Sequence, residues 1–196
     1  MSQHLEISPL EARDAIARAE YRQLLTQSRQ NLIQARKHND IPAQAQALYG
    51  LALSLAYPGD FRDARLLLDA ALEDARTHYL PELFCHLLNE RGNLLLIGEM
   101  QPYSARQHHE EALMMAEDLD NTHSIIIAQI GLSQVENHLK NYGTAQSLAE
   151  NALQQAEALD DTLLQIQART QLGRALTGKQ YDVSAMECLH DALEMA

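Results

Sequence analysis

Apolar positions recur along this chain in short runs with helical spacing, separated by small and polar turn residues. The clearest run is Ala43 to Tyr57, where Leu48, Leu51 and Leu55 fall three or four residues apart with small residues between them. That spacing puts the leucines on one face and predicts a helix. Pro58-Gly59-Asp60 stops it: Gly supplies the turn, Pro cannot continue a helix, and Asp60 is a good N-cap for the next one. A second helix is predicted from about Phe61 to Thr77, with Leu67, Leu68, Ala71, Leu72 and Ala75 on one face. The unit is therefore helix, tight turn, helix.

The same pattern recurs at a nearly fixed period. An alanine stands at Ala64, Ala105, Ala145 and Ala185, at intervals of 41, 40 and 40 residues. An Ala-Leu pair follows each by seven residues: Ala71-Leu72, Ala112-Leu113, Ala152-Leu153 and Ala192-Leu193. A period in this range means stacked copies of one small unit. The units predicted are about 42–78, 81–119, 121–159 and 161–196, with later turns near Gly98–Pro102, Lys140-Asn141 and Gly178–Gln180. An aromatic falls at or beside the start of each second helix: Phe61, Tyr103, Tyr142, Tyr181. Small residues recur where first helices must be approached closely: Ala52, Gly92, Ser133, Gly173. Interlocking of small and large positions at fixed offsets is what close helix pairing requires.

Residues 1–40 are read as a helical cap or degenerate half-repeat ahead of the four repeats of 41–196. Ser8-Pro9-Leu10-Glu11 is a start signal, and no Gly or Pro interrupts before Asn39-Asp40, so one helical stretch is expected over 9–38. Its tail, NLIQARKHND, parallels ALEDARTHYL of the first unit. About nine helices are expected in all. At the other end, the face carrying Ala185, Leu189 and Leu193 has no following helix, so exposure and self-association are expected there, unless the native chain continues.

Composition agrees with an all-helical chain: Gly and Pro are few, with 8 and 5 residues, and Ala, Leu, Gln and Glu abound. Charge excludes more than it suggests. The net charge is −12, with residues 1–40 near neutral and the rest strongly acidic. An acidic body repels phosphate, so neither nucleic acid nor an acidic lipid surface is an expected partner. No run of 18 apolar residues occurs, and the first 20 residues show no apolar leader segment, so a cytoplasmic location is expected. Cys85 and Cys188 sit amid apolar helical positions and read as buried thiols.

The repeat resembles the tetratricopeptide repeat (TPR). Leu172-Gly173 to Ala185 and Leu51-Ala52 to Ala64 keep the family's spacing of twelve, and Phe61 and Tyr142 stand three residues before their alanines. The period of about 40 points to the longer-helix, MalT-like variant. Arg91, Ser133, Glu136 and Tyr181 depart from the pattern. The resemblance implies an all-α, right-handed superhelical α-α solenoid of TPR-like helix-turn-helix repeats. It also implies a concave groove lined by first helices. By family position the lining includes Tyr49, Leu53, Tyr57, His86, Asn89, Asn93, Ile130, Gln134, Asn137 and Arg174. Asn89 and Asn93, one turn apart, could donate to and accept from an extended peptide backbone. The places at which one branch of the family grips a chaperone's C-terminal carboxylate hold Tyr49, Leu53, Glu90, Ile127 and Gly131, without the required basic residues.

No residue constellation calls for catalysis. His108-His109 diverge on a helix, Glu187-x-x-His190 stands alone, Cys188 and His190 do not share a face, and there is no CxxC, HExxH, GxSxG or Gly-rich phosphate loop. Neither an enzyme, a metal nor a cofactor is expected. The expected function is a protein or peptide interaction scaffold, the sensor or docking segment of a larger bacterial regulatory protein. Two alternatives are a peptide or ligand receptor that switches shape, and the non-catalytic part of a signalling enzyme.

Overall fold

The computed structural model describes residues 8–18 and 20–195. Residues 1–7, Ala19 and Ala196 lie outside it, and with them much of the segment on which the leader-free reading rests. Ten helices occur among the described residues, rather than nine: α1 Pro9–Ala17, α2 Tyr21–His38, α3 Ile41–Ala56, α4 Phe61–Thr77, α5 Pro81–Ile97, α6 Pro102–Asp118, α7 Thr122–His138, α8 Tyr142–Ala158, α9 Thr162–Gly178 and α10 Asp182–Glu194. The extra one arises because 9–38 is two helices. α1 starts on the Ser8–Glu11 capping box and ends at the Arg18 C-cap; α2 restarts after Glu20. Neither Gly nor Pro marks that break.

The six helices from α4 to α9 are each 17 residues long. Their spacing is set by one kind of connection. A left-handed residue stands at Asn39, Gly59, Tyr79, Met100, Asp120, Lys140, Asp160 and Gln180. The residue after each is the N-cap of the next helix: Asp40, Asp60, Leu80, Gln101, Asn121, Asn141, Asp161 and Tyr181. In seven of the eight, Gln101 excepted, its N–H turns back to the carbonyl five residues earlier, as in Asp60 to Leu55 at 2.9 Å, Leu80 to Ala75 at 2.9 Å and Asn141 to Glu136 at 2.8 Å. One residue thus closes one helix and opens the next, which leaves little freedom in the turn. Asp40, Asn121 and Asp161 also accept from the backbone N–H three residues on.

The chain divides into two compact units, Met1–Gly98 and Glu99–Ala196. The boundary falls in the connection that carries one extra residue, inside the second predicted repeat. Within the first unit, α3 packs against α2, α4, α1 and α5, and α4 packs on α5. Within the second, consecutive helices pack from α6 to α10, and α7 also packs on α9. First helices thus lie side by side, while second helices sit mainly against first helices. The repeated alanines are the contact points. Ala64, Ala71 and Ala75 on α4, and Ala145, Ala149, Ala152 and Ala156 on α8, are buried, since only a methyl group lets the helices approach so closely. On α2 the same register positions are Leu24, Ser28 and Ala35, all buried, and Ser28 faces Gly50 of α3. α2 therefore packs like the second helix of a repeat, with α1 in the place of a shortened first helix.

Sequence departures have structural causes. Ser133 stands where other units have Gly or Ala because its hydroxyl donates to the Ala145 carbonyl at 2.7 Å. Arg91 pairs with Asp69 at 3.0 Å, which ties α5 to α4. Glu136, at a position that is leucine in the other repeats, is buried and pairs with Arg106 of α6 at 2.6 Å. It also accepts from the Asn141 amide at 2.7 Å. The aromatics separate by register. Phe61 covers Gly98 and Tyr142 covers Gly178, where a Cβ would collide with either ring. Tyr103 and Tyr181, one place out of register, are exposed.

Candidate interaction surface

Side-by-side first helices in each unit carry most of the residues that sequence points to as a groove. Five of these residues lie beneath the surface. Tyr49 and Leu53 of α3 belong to the apolar core of the first unit. His86 and Ile130 are buried, and Asn89 is 1% exposed, its amide donating to the Cys85 carbonyl one turn back at 3.3 Å. Asn89 is therefore not an open amide awaiting a peptide. First helices are enclosed on more sides than second helices, so a position that family spacing points inward can be covered by neighbouring helices.

The remaining five reach solvent to different degrees. Tyr57, the α3 C-cap, is 52% exposed. Arg174 on α9 is exposed, and Asn93 and Gln134 are half-buried. Asn93 donates to Glu90 Oε2 at 3.2 Å, an orientation that presents its carbonyl elsewhere. Half-buried Asn137 joins α7 to α9, donating to the Gln171 carbonyl at 3.0 Å. The same amide also reaches the Gln171 side-chain oxygen at 3.5 Å, which makes Asn137 a structural tie between the two helices. Glu90 and Glu136 are both buried on first helices, Glu90 accepting from Asn93 in the first unit and Glu136 held by Arg106 and Asn141 in the second. The only signal for Glu136 was its intrusion at an apolar position.

Outside this layer, Arg106 is not a free outer-face cation, because Glu136 holds its guanidinium. His109, beside it on α6, is fully buried against Gly131 of α7. Burial first, then the neighbouring His108, lowers its pKa to about 3, so it is a neutral packing residue at pH 7. Cys188 is half-buried rather than fully enclosed, and burial raises its thiol pKa above the usual range despite nearby Arg169, which opposes a reactive thiolate. On α10, Ala185 is buried, against expectation, because it packs back on α9 with Leu172 and Leu176. Val183, Met186 and Leu193 are strongly exposed, and Leu189 is partly so. Among the described residues, no group of three or more His, Cys, Asp or Glu side chains could hold a metal ion. No described helix is long and apolar enough to cross a membrane.

Solved structures share the arrangement. BtubC (BKLC) from P. vanneervenii superposes with a TM-score of 0.72 at 18% identity, over 94% of this chain and 76% of that one. A kinesin light chain protein of Podosopora anserina, described as nearly identical TPR-like repeats, gives 0.63 at 17% identity over 95% of this chain and 92% of that one. A point variant of it gives 0.65 over the same shares at 17% identity. No protein-family model and no curated protein matches the chain. Likeness at this identity establishes the fold: an all-α solenoid of TPR-like helix-turn-helix repeats.

Proposed function

From that TPR-like fold, we propose that the chain is a non-enzymatic scaffold that holds a protein or peptide partner across its first helices. Four repeats follow a capping segment of about 40 residues, in this reading. The observation that carries it is the side-by-side packing of first helices within each unit, α3 with α5 and α7 with α9, which leaves reachable polar and aromatic groups: Tyr57 and Asn93 in the first, Gln134 and Arg174 in the second. The second helices support that layer through their alanines. An amide in each unit, with a single cation among the four groups, suits backbone recognition better than charge recognition. The finer reading is a docking segment of a larger bacterial regulatory protein in the cytoplasm, and repeats of this fold commonly serve as such surfaces. The free apolar residues of α10 are a second proposed contact, for self-association.

Selection of binders from a random peptide display library, followed by calorimetric titration, tests the groove. Tyr57→Ala with Asn93→Ala should weaken peptides that engage the first unit by about 1–3 kcal/mol. Gln134→Ala with Arg174→Ala should act similarly on those that engage the second, and added salt should change affinity little. Binders that ignore both pairs, yet are lost when outer-face residues of α8 such as Glu150 and Gln154 are replaced, would refute the groove.

A further inference from the structure

A cationic strip runs along the outer face of α2 in an otherwise acidic chain. At about 100° per residue, Arg22, Thr26, Arg29, Ile33, Arg36 and Lys37 share an arc of about 100°, opposite buried Leu24, Ser28 and Ala35. All six are exposed, Ile33 at 64%. α2 contains no Asp or Glu, and among the described residues none of its four Arg and Lys side chains forms an ion pair. Helix stability accounts for Arg36 and Lys37, which suit the negative end of the dipole. It does not account for Arg22 in the first turn, where a cation is disfavoured, or for Arg29, which has no acid three or four residues away.

Repeat register sharpens the anomaly. The place of Arg29 is taken on later second helices by Asp69, Glu110 and Glu150, and that of Arg36 by Arg76, Glu117 and Glu157. On α6 the matching strip is Tyr103, Gln107, Glu110, Met114, Glu117 and Asp118, all exposed, with Met114 at 67%. Glu110 and Glu117 flank Met114 at the same offsets by which Arg29 and Arg36 flank Ile33. Neither acid is ion-paired among the described residues. α8 fits less well: Gln154 replaces the apolar centre, and Glu157 is already held by Arg169 at 2.7 Å. Charge on the two units differs in the same sense. Residues 1–98 hold ten Lys and Arg against twelve Asp and Glu, whereas 99–196 hold five against fifteen.

We propose that the α2 face of one molecule docks on the α6 face of a second copy of this chain. Ile33 packs on Met114, and Arg29 and Arg36 each meet one of Glu110 and Glu117. Acids and bases spaced seven residues apart on facing helices meet every second turn, about 10 Å apart, so both pairs form in one docking pose. The interface uses neither the first-helix groove nor α10.

Analytical ultracentrifugation of the full chain from about 5 to about 500 µM tests the pairing. Wild type should associate reversibly at 0.1 M salt and about tenfold more weakly at 0.5 M. Arg29→Glu with Arg36→Glu should abolish association, as should Glu110→Arg with Glu117→Arg. An equimolar mixture of these two double variants should associate again, because the native α6 face of the first matches the native α2 face of the second and their two reversed faces also match. Circular dichroism checks that each variant keeps wild-type helicity. A wild type monomeric over the whole range overturns the proposal. So does association that survives both charge reversals, particularly if Met186→Glu with Leu193→Glu then abolishes it, which would assign the contact to α10.

Discussion

Acidification should weaken this fold through one buried side chain, His109. The ring sits between α6 and α7 at 1% exposure, and a Cβ on Gly131 would fall inside it. Its folded pKa of about 3 lies below the unfolded value of about 6.5. Because the folded pKa is depressed, the unfolded chain binds the proton more readily. Stability is therefore fully present above about pH 6.5 and is lost as pH falls from there toward 3. At pH 5 the unfolded histidine is almost wholly protonated and the folded one almost wholly neutral, and the linkage integral amounts to about 2 kcal/mol relative to pH 7.5. For a chain of this size that is a fall in Tm of about 4–8 °C. The assay is thermal unfolding followed by circular dichroism at pH 7.5, 6 and 5, on wild type and His109→Leu. Leucine is the residue at this register on α4 and α10, Leu68 and Leu189. The substitution should remove the difference, and the His109 ring carbon resonance of wild type should stay at its neutral position down to about pH 4. If both proteins lose the same stability between pH 7.5 and 5, the histidine is not the cause and the reasoning fails.

Other perturbations probe the connections between helices. Gly178→Ala should destabilise by about 1–3 kcal/mol, because its Cβ would enter the Tyr142 ring, whereas Gly143→Ala, with nothing within 4 Å, should be neutral or stabilising in the same chemical denaturation series. Tyr79→Gly should raise stability by about 0.5–1 kcal/mol: Tyr79 is 90% exposed and left-handed at φ 54°, so glycine relieves strain and loses almost no packing. Arg106→Ala should cost about 2–4 kcal/mol by leaving Glu136 buried without its guanidinium, and adding Glu136→Leu should recover most of it, since leucine stands there in the other repeats; a double variant no more stable than the single one would contradict this.

Much of the architecture was legible in the residues because it is local. A helix of 17 residues, a closing turn and an opening cap are decided by neighbours within five positions, and the period of the alanines carries them from one repeat to the next. The split of 9–38 escaped because no Gly, Pro or polar run marks Arg18 to Glu20. The left-handed turns at Tyr79 and Met100 escaped for a related reason. Their side chains disfavour that conformation; at Tyr79 the hydrogen bond from the following N–H to the carbonyl five residues back imposes it, as it does at Gly59.

The candidate groove was less legible. Family spacing points Asn89 and Asn93 the same way, yet Asn89 is enclosed and only Asn93 is reached by solvent. Similarly, a lone glutamate among leucines reads as a flaw until Arg106 and Asn141 are seen to close around Glu136. By itself the sequence determined the helices, their period and the small residues at their contacts, since these follow from short-range geometry and side-chain volume. Only the tertiary structure decided which polar groups are bonded within the fold and which stay open to solvent. Burial and pairing depend on residues as far apart as Arg106 and Glu136, or Asn137 and Gln171, which meet only once their helices have packed.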